Sequence, residues 1–291
     1  MTRYEQNALT SRFEAHRDHL RAVAYRMLGS SAEAEDAVQE AWLRASRAET
    51  DDVENLAAWL RTIVSRVCLD MLRSRKTRRE DPVGAIPDVA GDERDPQDEA
   101  VQAESVGRAL LVVLDTLGPA ERVAFVLHDL FAVPFDEIGP IVGRTTVTTK
   151  KLASRARQKV KGTPEVPAAD LTRNRHVVEA FLAAARSGDL DALLAVLAPG
   201  VVRRADPATL PPGVAAEVRG ARAVAEETIV LRRNSQVAEP ALVDGSVGLV
   251  VAPYGRLVLA LTITVEDDRI AAYEVISDPA RLRRLDLSLV D

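Results

Sequence analysis

Phe135-Asp-Glu-Ile-Gly-Pro-Ile-Val-Gly143, followed by Arg144-Thr-Thr-Val-Thr-Thr-Lys-Lys-Leu-Ala-Ser-Arg-Ala-Arg-Gln-Lys-Val-Lys161, is the stretch whose reading decides the fold. Phe135, Ile138, Ile141 and Val142 recur at helical spacing, and Gly143 supplies a residue that adopts the left-handed conformation without steric cost. Val147, Leu152, Ala156 and Val160 carry the pattern into a second helix. Two short helices around a glycine turn read as a helix-turn-helix. The second helix bears Lys150, Lys151, Arg155, Arg157, Lys159 and Lys161 with no carboxylate among them, although the whole chain carries a net charge of −6. A run of basic residues is ordinarily a solvated helix face. Here the turn, the preceding small helix and the missing acids coincide, which favours a polyanionic partner. Thr148, Lys150, Lys151, Ser154 and Arg155 lie in the first turns, where a recognition helix reaches base edges, and Arg144 stands at its entrance. Arg157, Lys159 and Lys161 fall where phosphates run.

A chain of 291 residues is long for one domain and suits two or three, each with its own core. Apolar residues make up 47% and charged residues 28%, the balance of ordinary globular protein. The polar start Met-Thr-Arg-Tyr-Glu-Gln-Asn and the lack of an apolar run of membrane-spanning length lead to the expectation of a cytoplasmic protein without membrane association. Cys68 is the single cysteine, so an internal disulfide and a cysteine-based zinc cluster are excluded, and a buried thiol is expected. The acidic balance confines any nucleic-acid binding to local patches.

Composition divides the chain. Residues 11–80 are helical in pattern and end in Arg73-Ser-Arg-Lys-Thr-Arg-Arg79. Residues 81–100 hold Pro82, Pro87, Pro96 and many acids and read as a flexible linker, reaching roughly 25 Å as a coil. Helices resume over 101–161, and Gly162-Thr-Pro-Glu-Val-Pro167 breaks them. Residues 172–291 open with an amphipathic helix ending at Gly188 and a second short one from Asp189. Period-two and continuous apolar runs follow, with turns at Asp244-Gly245 and Asp267-Asp268. Helices leading into an antiparallel meander indicate an α+β domain.

Within the first segment, Gly29-Ser-Ser-Ala-Glu-Ala-Glu-Asp-Ala-Val-Gln-Glu-Ala-Trp-Leu-Arg-Ala45 predicts an acidic amphipathic helix capped by Ser31. Ala34, Val38, Ala41 and Trp42 face its core, and Asp36, Gln39, Glu40 and Leu43 lie near the outside. A following helix presents Trp59, Ile63, Val67 and Leu72 on one side and Arg61, Arg66, Arg73 and Arg75 elsewhere. These stretches, with Ala58-Trp-Leu-Arg-Thr-Ile-Val-Ser-Arg-Val-Cys-Leu-Asp-Met-Leu-Arg-Ser-Arg75 and the helix-turn-helix, resemble the two domains of an extracytoplasmic-function (ECF) sigma factor of the sigma-70 family.

The resemblance implies that Asp36, Gln39, Glu40 and Leu43 bind the clamp helices of the RNA polymerase β′ subunit. It implies that Asn55, Trp59, Arg61 and Arg66 engage the unwound −10 promoter element, and that Arg144, Thr148, Lys150, Lys151, Ser154 and Arg155 serve the −35 element. Elementary physics agrees, since a single strand is held by stacking surfaces and a positive groove while duplex is read by a helix in the major groove. Residues 172–291 resemble the SnoaL-like extension, a nuclear transport factor 2-like cone, carried by one subgroup of these factors. The stretches that carry this are His176-Val-Val-Glu-Ala-Phe-Leu-Ala-Ala-Ala-Arg186, Val218-Arg-Gly-Ala-Arg-Ala-Val-Ala225 and Asp278-Pro-Ala-Arg-Leu-Arg-Arg-Leu-Asp-Leu287. In that subgroup the extension regulates the factor without a separate anti-sigma partner. The sequence departs from the subgroup at Asp206-Pro-Ala-Thr-Leu-Pro-Pro-Gly-Val214, where the subgroup is glycine-rich, and in lacking its linker motif near Pro82–Asp88.

The expected fold is therefore multidomain: two all-α sigma-factor domains over 11–80 and 101–161, the second a helix-turn-helix, then an α+β SnoaL-like domain over 172–291. The expected function is promoter-specific transcription initiation, with no catalytic residues, cofactor or metal. Two alternatives compete. In one, the third domain is a small-molecule enzyme or ligand sensor, since cone folds enclose pockets; Asp206 and Tyr273 are its polar candidates, with His176 the sole histidine after residue 172. In the other, the chain is a repressor that never joins polymerase. His16 and His19 share helical spacing but lack companion ligands, and His128 is expected to pack beside the second core. No phosphate-binding loop motif appears.

Overall fold

A computed structural model describes residues 3–48, 53–78, 105–207, 215–253 and 257–290. The expected linker at 81–100 and most of the Asp206–Val214 departure lie outside them. The chain forms two compact units, Met1–Pro87 with Leu117–Gln158, and Asp88–Thr116 with Lys159–Asp291.

The first unit is helical. Helices α1 (Arg3–Glu14), α2 (Arg17–Leu28), α3 (Ser31–Ala45) and α4 (Leu56–Arg78) open the chain. Gly29 takes φ +79° and its N–H returns to the Tyr25 carbonyl at 2.8 Å, ending α2 with a left-handed cap. The cap of α3 is Ser30, one residue before the expected Ser31: its hydroxyl accepts from the Glu33 N–H at 3.4 Å. Leu20, Val23, Met27, Ala34, Ala37, Val38 and Ala41 are buried between α2, α3 and α4. On α4 the core face is Leu60, Val64, Val67, Cys68 and Leu72, while Trp59 and Ile63 are only half-buried. The expected stripe through Trp59 and Ile63 is thus offset by one residue, because Leu56 opens the helix inward and sets the phase.

After α5 (Ser105–Asp115), which belongs to the second unit, α6 (Pro119–Phe125) runs into a single π-helical turn, Val126–Leu130. Next come α7 (Phe135–Val142) and α8 (Thr146–Lys161). Gly118 caps α6, its N–H donating to the Glu121 carboxylate at 3.1 Å.

The second unit is α+β. Helices α9 (Ala168–Ser187) and α10 (Leu190–Val196) precede β1 (Leu197–Ala205) and β2 (Glu217–Arg219). Then follow α11 (Ala221–Val230), α12 (Arg232–Val237), β3 (Ala238–Val243), β4 (Ser246–Val251), β5 (Leu259–Glu266), β6 (Arg269–Ile276), α13 (Pro279–Leu282) and β7 (Leu287–Ser288). They form one sheet in the order β2-β1-β6-β5-β4-β3-β7, antiparallel except for the parallel pair β1 and β6. The meander is as expected, and both of its predicted turns have positive φ at the two central residues: Asp244 and Gly245 (+49°, +78°), and Asp267 and Asp268 (+48°, +58°).

The sheet's two faces explain the apolar runs. Leu242, Val247, Leu249, Val251, Ile263 and Tyr273 pack against Val178, Phe181, Leu182, Leu193 and Val224 of the helices. The alternate residues Ala241, Val243, Val250 and Ala260 face Val112 of α5 and Leu287. Strands β3 and β4 are covered on both sides and so lose the polar alternation of a half-exposed strand.

Candidate nucleic-acid and polymerase interface

The turn between α7 and α8 is built by two glycines with different duties. Gly143 sits at φ +67°. Gly139 admits no side chain, since a Cβ there would stand 2.8 Å from the Arg144 carbonyl oxygen, and the Arg144 N–H donates to the Gly139 carbonyl at 2.9 Å. Ile138, Ile141 and Val142 are buried as expected, and Phe135 stacks on His128 at 3.7 Å between ring centroids. His128 is held in turn by a 3.0 Å contact from its Nδ1 to the Val133 carbonyl, which makes it a packing residue beside this core.

Helix α8 turns Thr149, Ala153, Ala156 and Val160 inward. Thr149 is tolerated there because its hydroxyl donates to the Thr145 carbonyl at 2.9 Å. Val147, expected as an inward residue, is 65% exposed, and Leu152 is half-buried. The inward stripe therefore begins at Thr149. The outward stripe reads Val147, Lys150, Lys151, Ser154 and Arg155, all exposed, with Arg144 exposed beside it. Thr148 is half-buried, its hydroxyl 3.0 Å from that of Thr145, whose Oγ also accepts the Thr148 N–H at 3.3 Å. Among the described residues Lys150, Lys151 and Arg155 have no ion-pair partner, whereas Arg157 pairs with Asp129 at 2.5 Å. Of the residues expected at base edges, Lys150, Lys151, Ser154 and Arg155 are thus gathered on one open side of the helix, and Thr148 flanks them half-buried.

The α4 group is arranged differently. Asn55 accepts the Ala58 N–H on its Oδ1 at 3.1 Å and so caps the helix. Trp59, Arg61 and Arg66 share its length, but two of them are engaged within the unit. Arg61 donates to the Glu137 carboxylate of α7 at 2.7 Å, and Arg66 to the Pro140 carbonyl at 3.4 Å. Glu137 is a functional candidate that sequence reading passed over; its signal was the acidic pair Asp136-Glu137 opening a helix that precedes a cationic one.

On α3, Asp36, Gln39 and Leu43 are exposed and Glu40 half-buried, at a helical spacing that places all four on one side. Glu40 pairs with Arg44 at 2.8 Å, while Asp36 has no ion-pair partner among the described residues. The other acids of this helix are tied inward, Glu33 to Arg75 and Glu35 to Arg17. Leu43, 40% exposed, adds an apolar point to the acidic face.

In the second unit the polar groups are structural ties. Asp206 accepts the N–H groups of Ser277 and Asp278, each at 2.9 Å, and pairs with Arg281. Burial pushes its carboxyl up, but these donors outweigh it and hold the group below the usual carboxylate range. Burial pushes the Tyr273 hydroxyl up to about 12; it lies 3.3 Å from the Thr228 hydroxyl. Arg203 is buried and paired with Glu227, with its other nitrogen on the Ala215 carbonyl at 2.7 Å. His176 is exposed on α9 and converges with none of them.

His16 and His19 gather no companion ligands, and no group of three metal-binding side chains occurs among the described residues. No helix among the described residues is long and apolar enough to cross a membrane. Cys68 is buried, and that burial pushes its thiol up to about 12.

Comparisons with known proteins find relatives for the chain. The model of sigma-70 region 2 matches residues 12–78 and that of sigma-70 region 4 matches residues 107–160. The ECF RNA polymerase sigma factor SigJ of Mycobacterium tuberculosis is 39% identical over 286 residues, which cover 92% of this chain and 91% of that protein. The probable ECF RNA polymerase sigma factor SigI of the same organism is 39% identical over 206 residues, covering 69% and 71%. A crystal structure of the M. tuberculosis extracytoplasmic function sigma factor SigJ aligns with a TM-score of 0.46 at 36% identity, over 94% of this chain and 97% of that one. The chain belongs to the extracytoplasmic-function (ECF) RNA polymerase sigma factors.

Proposed function

We propose that this sigma factor divides promoter recognition between two cationic helices and holds polymerase through an acidic one. RNA polymerase core is bound and transcription is initiated at specific promoters, as for the family. The domain of residues 11–80 contacts the β′ clamp helices through Asp36, Gln39, Glu40 and Leu43. It takes the unwound −10 element through Asn55, Trp59, Arg61 and Arg66. The domain of residues 101–161 reads the −35 duplex through Arg144, Thr148, Lys150, Lys151, Ser154 and Arg155. The observation that carries this reading is the outward stripe of α8, where Lys150, Lys151 and Arg155 stand open with no acid on the helix. The pairing of Arg61 with Glu137 fits a free protein whose −10 surface is engaged from within.

Residues 172–291 form a SnoaL-like domain that regulates the factor in place of a separate anti-sigma protein and performs no chemistry. In support, Asp206 is held ionised by the N–H groups of Ser277 and Asp278 and by Arg281, and Tyr273 is buried, so neither is poised as a general acid or base near neutral pH. Helix α5, inside the region 4 match, rests on this domain's sheet: Arg108 donates to the buried Glu239 at 2.7 Å, and Val112 joins the apolar cluster of β3, β4 and β5. The protein acts in the cytoplasm. The test is in vitro transcription with core polymerase. The full chain should direct defined start sites, and Asp36→Arg should abolish both co-purification with core and transcription. A chain that binds duplex but never core would be a repressor and would overturn the reading.

A further inference from the structure

We infer that Val147 is a sequence-determining residue that contacts the C5 methyl group of a thymine in the −35 duplex; this rests on the reading of α8 as the duplex-binding helix. Among the described residues of the first unit it is the most exposed large apolar side chain, at 65%, against 40% for Leu43 and 39% for Leu130. It lies in the first turn of α8, the end that enters a groove first. Nothing in the fold accounts for it. The inward stripe is filled by Thr149, Ala153, Ala156 and Val160, and Val147 stands opposite, in line with Lys150, Lys151 and Ser154 at i+3, i+4 and i+7.

An isopropyl group surrounded by unpaired cations matches a ligand that is anionic overall and apolar at one point. In the major groove that point is the thymine methyl, the one apolar feature a base edge presents there. The hydroxyls of Thr145 and Thr148 lie 3.0 Å apart and bond to each other, Thr148 is half-buried, and Val147 presents the larger apolar surface beside them. It would distinguish T·A from C·G where the lysines alone, as flexible point charges, favour phosphate and guanine edges.

The test uses the full chain with core polymerase. Duplexes are first selected from a library randomised across the −35 region, and each thymine of the recovered consensus is then replaced singly by deoxyuridine, which removes only the methyl. One replacement should weaken binding of the wild type about fourfold, the size of one buried methyl group. Val147→Ala should erase that difference while Val147→Thr, which keeps a methyl, retains part of it. Unchanged helicity by circular dichroism would show that the variants fold. If every deoxyuridine duplex binds the wild type as well as its parent, or if Val147→Ala keeps the discrimination, the inference is wrong. Lys150→Glu separates this from failure of the underlying reading: loss of duplex binding there leaves the reading standing, and intact binding removes both.

Discussion

Helices α4 and α8 each carry exposed or half-exposed cations at helical spacing, yet they meet the rest of the first unit in opposite ways. On α8, Lys150, Lys151 and Arg155 face outward with no ion-pair partner among the described residues. On α4, Arg61 is held at 2.7 Å by Glu137 and Arg66 reaches the Pro140 carbonyl. The second unit adds a third grade, in which Arg108 pairs with Glu239, a carboxylate only 2% exposed. The same chemical group thus serves as an open contact, a reversible engagement and a fixed tie. What differs is whether an acidic partner is present and how far that partner is desolvated.

That gradation predicts effects of decreasing size. Reversing the open pair with Lys150→Glu and Arg155→Glu should weaken −35 duplex binding about 100-fold and lower the slope of log affinity against log salt by about 2; titrations at several salt concentrations measure both. Removing the fixed partner with Glu239→Ala leaves Arg108 and Arg186 facing a dry site. It should destabilise the second unit by about 2 kcal/mol in chemical denaturation, a figure kept low because both arginines are about one-third exposed.

Releasing the intermediate contact with Glu137→Gln should raise affinity for a single-stranded −10 oligonucleotide only two- to fourfold, because a half-exposed pair contributes little. No gain at all would mean that Glu137 does not compete with DNA for Arg61. The smallest effect belongs to pH. The Asp206 carboxyl is held below its unfolded value, so its contribution is present above about pH 4 and fades as pH falls through the folded value. Thermal melts from pH 6 to pH 3 should therefore fall more steeply for the wild type than for Asp206→Asn.

The helix-turn-helix was legible because Gly143 and the flanking apolar spacing specify it locally. The meander was legible because Asp244-Gly245 and Asp267-Asp268 are turn chemistry that sequence displays. Strand β1 was not: Pro199 and Gly200 near its start break the strand pattern, and its partner β6 lies about 70 positions away, with a register shift after Leu197. Strand β7 has two residues and no pattern to read. The phase of α8 misled for a similar reason. A valine looks internal by type, and only the inward hydrogen bond of Thr149 reveals that a threonine has taken the buried place. The α4 contacts were invisible because Glu137 lies 76 positions from Arg61, and pairing at that distance follows from tertiary packing alone.

The seam after α8 has a practical consequence. The Val160 carbonyl accepts the Leu289 N–H at 2.8 Å, Glu165 donates to the Gly245 carbonyl at 2.9 Å, and a side chain at Gly162 would collide with Ser288. The last turn of α8 is consequently finished by the residue that follows β7. Any truncation that removes Ser288 and Leu289 strips that turn of its closing bond and invites fraying, so its effect on DNA binding would mix loss of the extension with damage to the helix that the extension closes.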